Sequence, residues 1–305
     1  DAEVVWGEPI EIEYQTKING IVAADTNAFY VLKTKTFSND DEQKTLQRFT
    51  SDIELDLELK LDLGLNKDER ELEFIVEHGE TLYVFTSFID RKNKKRILSV
   101  QSVNKILMIF NQDKREVCAI DYRYFFDTGT YGYTISQDST KLLIYGQLIS
   151  LNEQSEFINL RVFDKEMNQI FSQDNIFSYD TETNAGRFFS VDNKGNVYVM
   201  SLFQKQNILW SKKGKPKNEY QLKVFLHNEK LTVDYKVGIP DKFINNLQII
   251  PLDKRIALVG LYSEISDLAC RGTAYFLIDN EKKQIVKQTI VPFESDFLEF
   301  FMNKR

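Results

Sequence analysis

One short phrase returns five times along this chain, and an internal repeat constrains a fold more tightly than any composition does. Asp25-Thr-Asn-Ala leads into Phe29-Tyr-Val-Leu, and His78-Gly-Glu-Thr leads into Leu82-Tyr-Val-Phe. Gln137-Asp-Ser-Thr-Lys precedes Leu142-Leu-Ile-Tyr, Asp192-Asn-Lys-Gly-Asn precedes Val197-Tyr-Val-Met, and Asp253-Lys-Arg precedes Ile256-Ala-Leu-Val. Each is a turn followed by a short run of aromatic and β-branched residues, which suits a pleated strand. Aligning Tyr30, Tyr83, Leu143, Tyr198 and Ala257 gives a period of about 53–60 residues, near the upper end of the range for propeller blades.

The rest of each copy follows in the same order. A first strand ends just before the turn, as in Gly20-Ile-Val-Ala-Ala and Phe188-Phe-Ser-Val. After the aromatic strand and a polar loop come two more strands joined by acidic or amide residues, clearest in Leu160-Arg-Val-Phe-Asp-Lys-Glu-Met-Asn-Gln-Ile-Phe171. The same hairpin recurs from Leu222 to Val233 and from Ala274 to Val286. A lone four-stranded sheet leaves both faces exposed, so such units must stack and cover one another.

The chain therefore reads as all-β, a β-propeller of four-stranded antiparallel blades, five of them visible and open to belonging to a larger ring. The propeller is expected over 1–293, with blades near 15–63, 70–120, 130–175, 186–237 and 243–291. A strand at 4–14 is expected to close the ring, and 294–305 reads as a short helix capped by Ser295, or as the start of a further extension.

Composition removes several function classes. Net charge is −7, which argues against a nucleic-acid partner, since those usually meet a basic stripe. No apolar run approaches the ~18–20 residues of a membrane-spanning helix. Cys118 and Cys270 form no disulfide framework, and with His78 and His227 they show no metal-ligand spacing. Glu54, Asp56, Glu58 and Asp62 alternate along one strand, which reads as a solvated face rather than a calcium loop. Neither a phosphate-binding glycine loop nor a nucleophile elbow around Ser139 or Ser201 is present. No metal and no cofactor is expected.

Trp6-Gly-Glu-Pro, Ala24-Asp-Thr-Asn-Ala-Phe-Tyr-Val-Leu32 and Gly79-Glu-Thr-Leu-Tyr-Val-Phe-Thr-Ser-Phe88 form a recognisable set. Arg161-Val-Phe-Asp164, Gly272-Thr-Ala-Tyr-Phe-Leu-Ile-Asp279 and Ser295-Asp-Phe-Leu298 belong to it. Together they resemble a group of uncharacterised, exported propeller-like proteins of Bacteroidetes-type bacteria. The resemblance spans nearly the whole chain and implies export, to the periplasm or the outer membrane. It also implies a longer parent chain, and it carries no catalytic residues.

Function is then expected at the blade end that carries the loops between strands two and three and between blades, because loops vary freely on a rigid scaffold. Lys94 and Arg96 lie in a basic run there, as do Lys212 and Lys213 in the fourth copy, while Asn39-Asp-Asp-Glu42 is acidic. Solubilising loop tips and a charge pattern that orients a partner are both open readings. Between blades, Tyr122, Arg123, Tyr124, Asp127 and Tyr131 fall in one aromatic-rich loop, and Tyr179, Asp180 and Arg187 at the next junction. Tyr and Arg dominate protein interfaces, and aromatics with carboxylates also form sugar platforms. Packing of Tyr124, Phe125, Phe126 and Tyr133 between blades is the structural alternative. Paired carboxylates such as Asp127 with Asp180, facing each other across a central channel, would suit hydrolysis of a glycoside, but among 46 acidic residues some pair always looks suggestive.

The leading expectation is a non-enzymatic interaction module, a plug or scaffold subunit of an outer-membrane transport or secretion complex with another envelope protein as partner. The alternative is a carbohydrate or small-ligand binding propeller, with glycoside hydrolase-like activity as its extreme form.

Overall fold

The computed structural model describes residues 13–38, 41–63, 70–124, 127–150, 155–178, 184–204, 218–227, 231–264 and 269–294. Among the described residues there are 21 strands and no helix. They form five successive antiparallel meanders, the blades of a β-propeller fold.

The first blade comprises β1 (Thr16–Ala24), β2 (Ala28–Ser38), β3 (Asp41–Thr50) and β4 (Leu55–Leu61). The second comprises β5 (Arg70–His78), β6 (Thr81–Asp90), β7 (Lys95–Asn104) and β8 (Ile109–Phe110), and here β9 (Arg115–Asp121) also pairs with β7. The third comprises β10 (Thr130–Ile135), β11 (Leu142–Ser150), β12 (Ser155–Phe163) and β13 (Gln169–Ser178). The fourth comprises β14 (Asn184–Val191), β15 (Val197–Gln204), β16 (Asn218–Leu226) and β17 (Leu231–Val237), and the fifth β18 (Lys242–Pro251), β19 (Arg255–Glu264), β20 (Cys270–Asp279) and β21 (Gln284–Pro292). Of the expected strand at 4–14, residues 4–12 lie outside the described residues, and Glu13 and Tyr14 are not in a strand. The expected helix at 294–305 lies outside the described residues from 295 onward.

The repeated acidic turns fold as Asx turns, in which the side chain caps the backbone it introduces. Asp25 Oδ1 accepts from the amides of Asn27 (2.9 Å) and Ala28 (3.1 Å), and Asp192 Oδ1 does the same for Lys194 and Asn196. The bond from Asn27 is the main reason why the Asp25 carboxyl lies below its ordinary value, although partial burial opposes it.

The chain divides into two compact units, one of Asp1–Gly132 with Gly146–Leu148 and the other of Tyr133–Tyr145 with Ile149–Arg305. In the first, Tyr30, Leu46 and Leu61 pack with Leu82, Val84 and Val103 in one apolar layer. In the second, Leu143, Ile158 and Leu160 pack with Val197 and Val199, and Tyr198, Met200 and Leu222 pack with Ile256, Leu258 and Phe276. Middle strands are apolar on both faces; Val197, Tyr198, Val199 and Met200 are all fully buried. Each such side chain contributes about 1.5–3 kcal/mol, so the stacking of blades is the main source of stability. Edge strand β4 alternates instead, and its carboxylates are paired across the sheet, Asp56 with Arg48 at 2.9 Å and Glu58 with Lys33 at 3.5 Å. This is a solvated strand face, and no group of metal-ligating side chains occurs among the described residues.

Candidate functional site

A β-bulge recurs in the first strand of four blades. The register slips between Ile18 and Gly20 in β1, Leu72 and Phe74 in β5, Asn184 and Gly186 in β14, and Ile244 and Asn246 in β18. The extra residue has no cross-strand partner, which frees its side chain to be aimed elsewhere. In three blades it meets a hydroxyl on the second strand. Thr34 Oγ1 donates to Asn19 Oδ1 at 2.8 Å, Ser87 Oγ donates to Glu73 Oε1, and Asn245 Nδ2 donates to Ser263 Oγ at 3.0 Å.

The second blade departs from this plan, because its bulged residue is a carboxylate and a buried cation answers it. Arg96, at the start of β7 with a side chain only 12% exposed, uses every N–H of its guanidinium. Nε donates to Ser87 Oγ at 3.1 Å, and Nη1 donates to the Gly129 carbonyl at 2.6 Å and to Thr128 Oγ1 at 3.4 Å. Nη2 donates to Glu71 Oε2 at 2.5 Å and to Glu73 Oε1 at 2.7 Å. One side chain thus ties β5, β6 and the segment entering β10. Charged, multiply bonded guanidinium contacts of this kind fix geometry as well as energy.

Gly129 allows that arrangement. Its φ is +79°, and an added Cβ would lie 2.6 Å from the Gln147 carbonyl oxygen, so only glycine presents its carbonyl to Arg96 here. Tyr131 closes the cluster: its hydroxyl donates to the Arg96 carbonyl at 2.6 Å and its ring lies 5.9 Å from the guanidinium. Burial pushes the Tyr131 phenol far above its ordinary value, so it remains a proton donor throughout the physiological range.

Two carboxylates face one guanidinium, which leaves one negative charge in excess. Glu71 carries it outward: Glu73 is 12% exposed, Glu71 70%. Glu71 spends one oxygen on Arg96 and presents the rest of its carboxylate to solvent, held in place from below.

The sequence-derived residues fall in different places. Arg96 and Tyr131 come together here, as parts of a buried cluster rather than exposed loop charges and anchors. Tyr122 is also buried, and its amide donates to the Lys94 carbonyl. Lys94 is exposed at the β6–β7 turn with φ +55°. Arg123 and Tyr124 are exposed, and Tyr124 pairs with Asp127 in an isolated bridge. Tyr124 and Tyr133 are 41% and 39% exposed. Tyr179, Asp180, Lys212, Lys213, Phe125 and Phe126 lie outside the described residues, and with them the Asp127–Asp180 pair. Ser139 is a turn residue with φ +58°, and Ser201 is buried in β15.

Arg187 belongs to the second unit and is sealed. Its side chain is 1% exposed and pairs at 2.8 Å with Glu156, which is fully buried, while Phe203 lies 5.3 Å from the guanidinium. Arg187 is thus unavailable to a partner.

Glu71, Glu73, Ser87, Thr128 and Glu156 were missed at the sequence level. One signal for the first two exists: Lys17-Ile-Asn-Gly-Ile-Val and Glu71-Leu-Glu-Phe-Ile-Val align without a gap, and they place Glu73 on the bulge residue Asn19.

No family model matches the chain, and no curated protein matches it. Solved structures do. An α-L-arabinanase of Penicillium chrysogenum complexed with arabinobiose is 9% identical, with 87% of this chain and 78% of that one covered and a TM-score of 0.41. The GH93 α-L-arabinofuranosidase of Fusarium graminearum, also with arabinobiose, is 6% identical over 91% and 92% of the chains, with a TM-score of 0.43. Bacillus subtilis levansucrase is 10% identical over 92% and 88%, with a TM-score of 0.40.

The expected non-enzymatic envelope interaction module is corrected at this point. Solved structures that resemble the chain include an arabinanase, an arabinofuranosidase and a levansucrase, and also prolyl oligopeptidase B of Galerina marginata. None of them is described as an envelope scaffold, and at these identities the likeness shows the fold alone. In addition, Tyr122, Tyr131, Arg96 and Arg187, four residues assigned to a partner-facing surface, have their side chains in the interior. A hot spot must be accessible before it can be desolvated by a partner.

Proposed function

We propose that this protein is a carbohydrate-binding propeller whose ligand meets the second blade at Glu71. The observation that carries this reading is the exposed Glu71 carboxylate held by a buried Arg96 whose five N–H groups are all engaged. A carboxylate accepts hydrogen bonds from the paired hydroxyls of a sugar. Fixing it in advance removes much of the ordering cost that weak polyol ligands struggle to offset.

Glu71 and Glu73 project from the same strand two residues apart and share one guanidinium. They therefore do not flank a scissile bond from opposite sides, as paired glycosidase carboxylates do. Binding, rather than hydrolysis, is the chemistry that the cluster supports.

A glycan array followed by calorimetric titration of its best hit tests the proposal. Glu71→Gln keeps the shape and removes the charge, and affinity should fall roughly 10- to 100-fold, the worth of a charged hydrogen bond. An array without hits, or full affinity in Glu71→Gln, would remove the reading.

A further inference from the structure

The bulge in β1 has a chemical consequence separate from ligand binding. Its extra residue is Asn19, followed by Gly20, and this is the one Asn-Gly pair in the sequence. In a regular strand, ladder pairing holds both flanking peptides and suppresses rearrangement. Here Ile18 pairs with Lys33 and Gly20 with Leu32, so Asn19 is left without a cross-strand partner. Asn19 is exposed, Gly20 has φ +144°, and no atom comes within 4 Å of where a Gly20 Cβ would lie. With no Cβ of its own, Gly20 places no side chain beside its amide nitrogen.

Thr34 adds activation. Its hydroxyl donates to Asn19 Oδ1 at 2.8 Å, the oxygen on which negative charge grows when a nucleophile adds to the amide carbon.

We propose that Asn19 is a site of spontaneous deamidation in the folded protein, activated by Thr34. The Gly20 nitrogen attacks Asn19 Cγ, and a new C–N bond forms as the Cγ–Nδ2 bond breaks. Ammonia leaves with the proton lost from the Gly20 amide. Water then opens the cyclic imide at either carbonyl, giving aspartate or isoaspartate and adding one negative charge to the chain's −7. The aspartate product places a carboxylate opposite a hydroxyl, the pairing that Glu73 and Ser87 make in the second blade.

The fifth blade supplies an internal control. Asn245 occupies the equivalent bulge and bonds the Ser263 hydroxyl, yet its neighbour is Asn246 rather than glycine, and a side chain on the residue that supplies the attacking nitrogen hinders closure of the imide ring. Asn245 keeps its amide.

The test is incubation of the folded protein at mildly alkaline pH with peptide mass spectrometry and enzymatic isoaspartate labelling. Asn19 should convert while Asn245 does not. Thr34→Val should slow conversion about fivefold, the rate equivalent of one ordinary hydrogen bond, and Thr34→Ser, which keeps the donor, should restore it. Circular dichroism establishes that both variants are folded. The proposal is overturned if Asn19 keeps its amide while a free peptide spanning 16–24 converts. Equal conversion at Asn245, or an unchanged rate in folded Thr34→Val, overturns it as well.

Discussion

Arg96 in the first unit and Arg187 in the second are both buried arginines that answer a carboxylate, and they serve opposite ends. Arg187 and Glu156 are 1% and 0% exposed, a closed pair with an aromatic ring beside the guanidinium. Arg96 is nearly as buried, yet one of its two carboxylates is 70% exposed. The sealed pair balances its charge internally, whereas the open cluster carries a surplus negative charge to the surface. Burial of a charge is costly in both places, and what differs is whether the arrangement leaves anything over for a ligand.

Breaking the sealed pair should have the larger effect. Glu156→Ala removes the buried carboxylate 2.8 Å from the Arg187 guanidinium, and unfolding free energy should drop by about 3–5 kcal/mol in chemical denaturation. Arg96→Ala should cost less, about 2 kcal/mol, because Glu71 already lies in water and Glu73, which loses its bond to Arg96 together with Ser87, Thr128 and the Gly129 carbonyl, keeps the hydrogen bond from the Ser87 hydroxyl. Should the Arg96 variant be the less stable of the two, the distinction between sealed and open clusters would be wrong.

Acid sharpens the comparison by acting through the turns that lie outside both clusters. Hydrogen bonds to turn amides and to Asn93 hold Asp25, Asp90 and Asp279 below their ordinary value of 3.8. A carboxyl with a lowered folded pKa stabilises the native chain above its unfolded value and ceases to do so as pH falls through the folded one. Stability should hold down to about pH 4 and decline below it, with a smaller decline in an Asp25→Asn variant. An onset near pH 6 would point instead to other groups.

The architecture was readable because the turns and aromatic strands obey local rules. Asp25 and Asp192 cap their own turns, and runs such as Val197-Tyr-Val-Met have no stable place except between two covered faces. The site was read poorly for a physical reason. Arg96 looked like the end of a solvated basic run, yet β7 begins one residue before it and turns its side chain toward β5 and the entry to β10. Tyr131 looked like an interface anchor, and its hydroxyl is instead spent on a backbone carbonyl. Exposure depends on strand start and register, and a bulge shifts register without leaving an obvious mark in composition. Glu156 was silent altogether, because nothing in Ser155-Glu-Phe-Ile announces that a distant arginine will meet it.

Titrating the array-selected oligosaccharide into wild type and Glu71→Gln, with the melting temperature of each recorded in parallel, puts the open cluster to its most direct test. An unchanged melting temperature with affinity lowered at least tenfold would place the surplus carboxylate in the binding surface. Equal affinity in the two proteins would contradict it, and so would a melting temperature that falls in step with affinity.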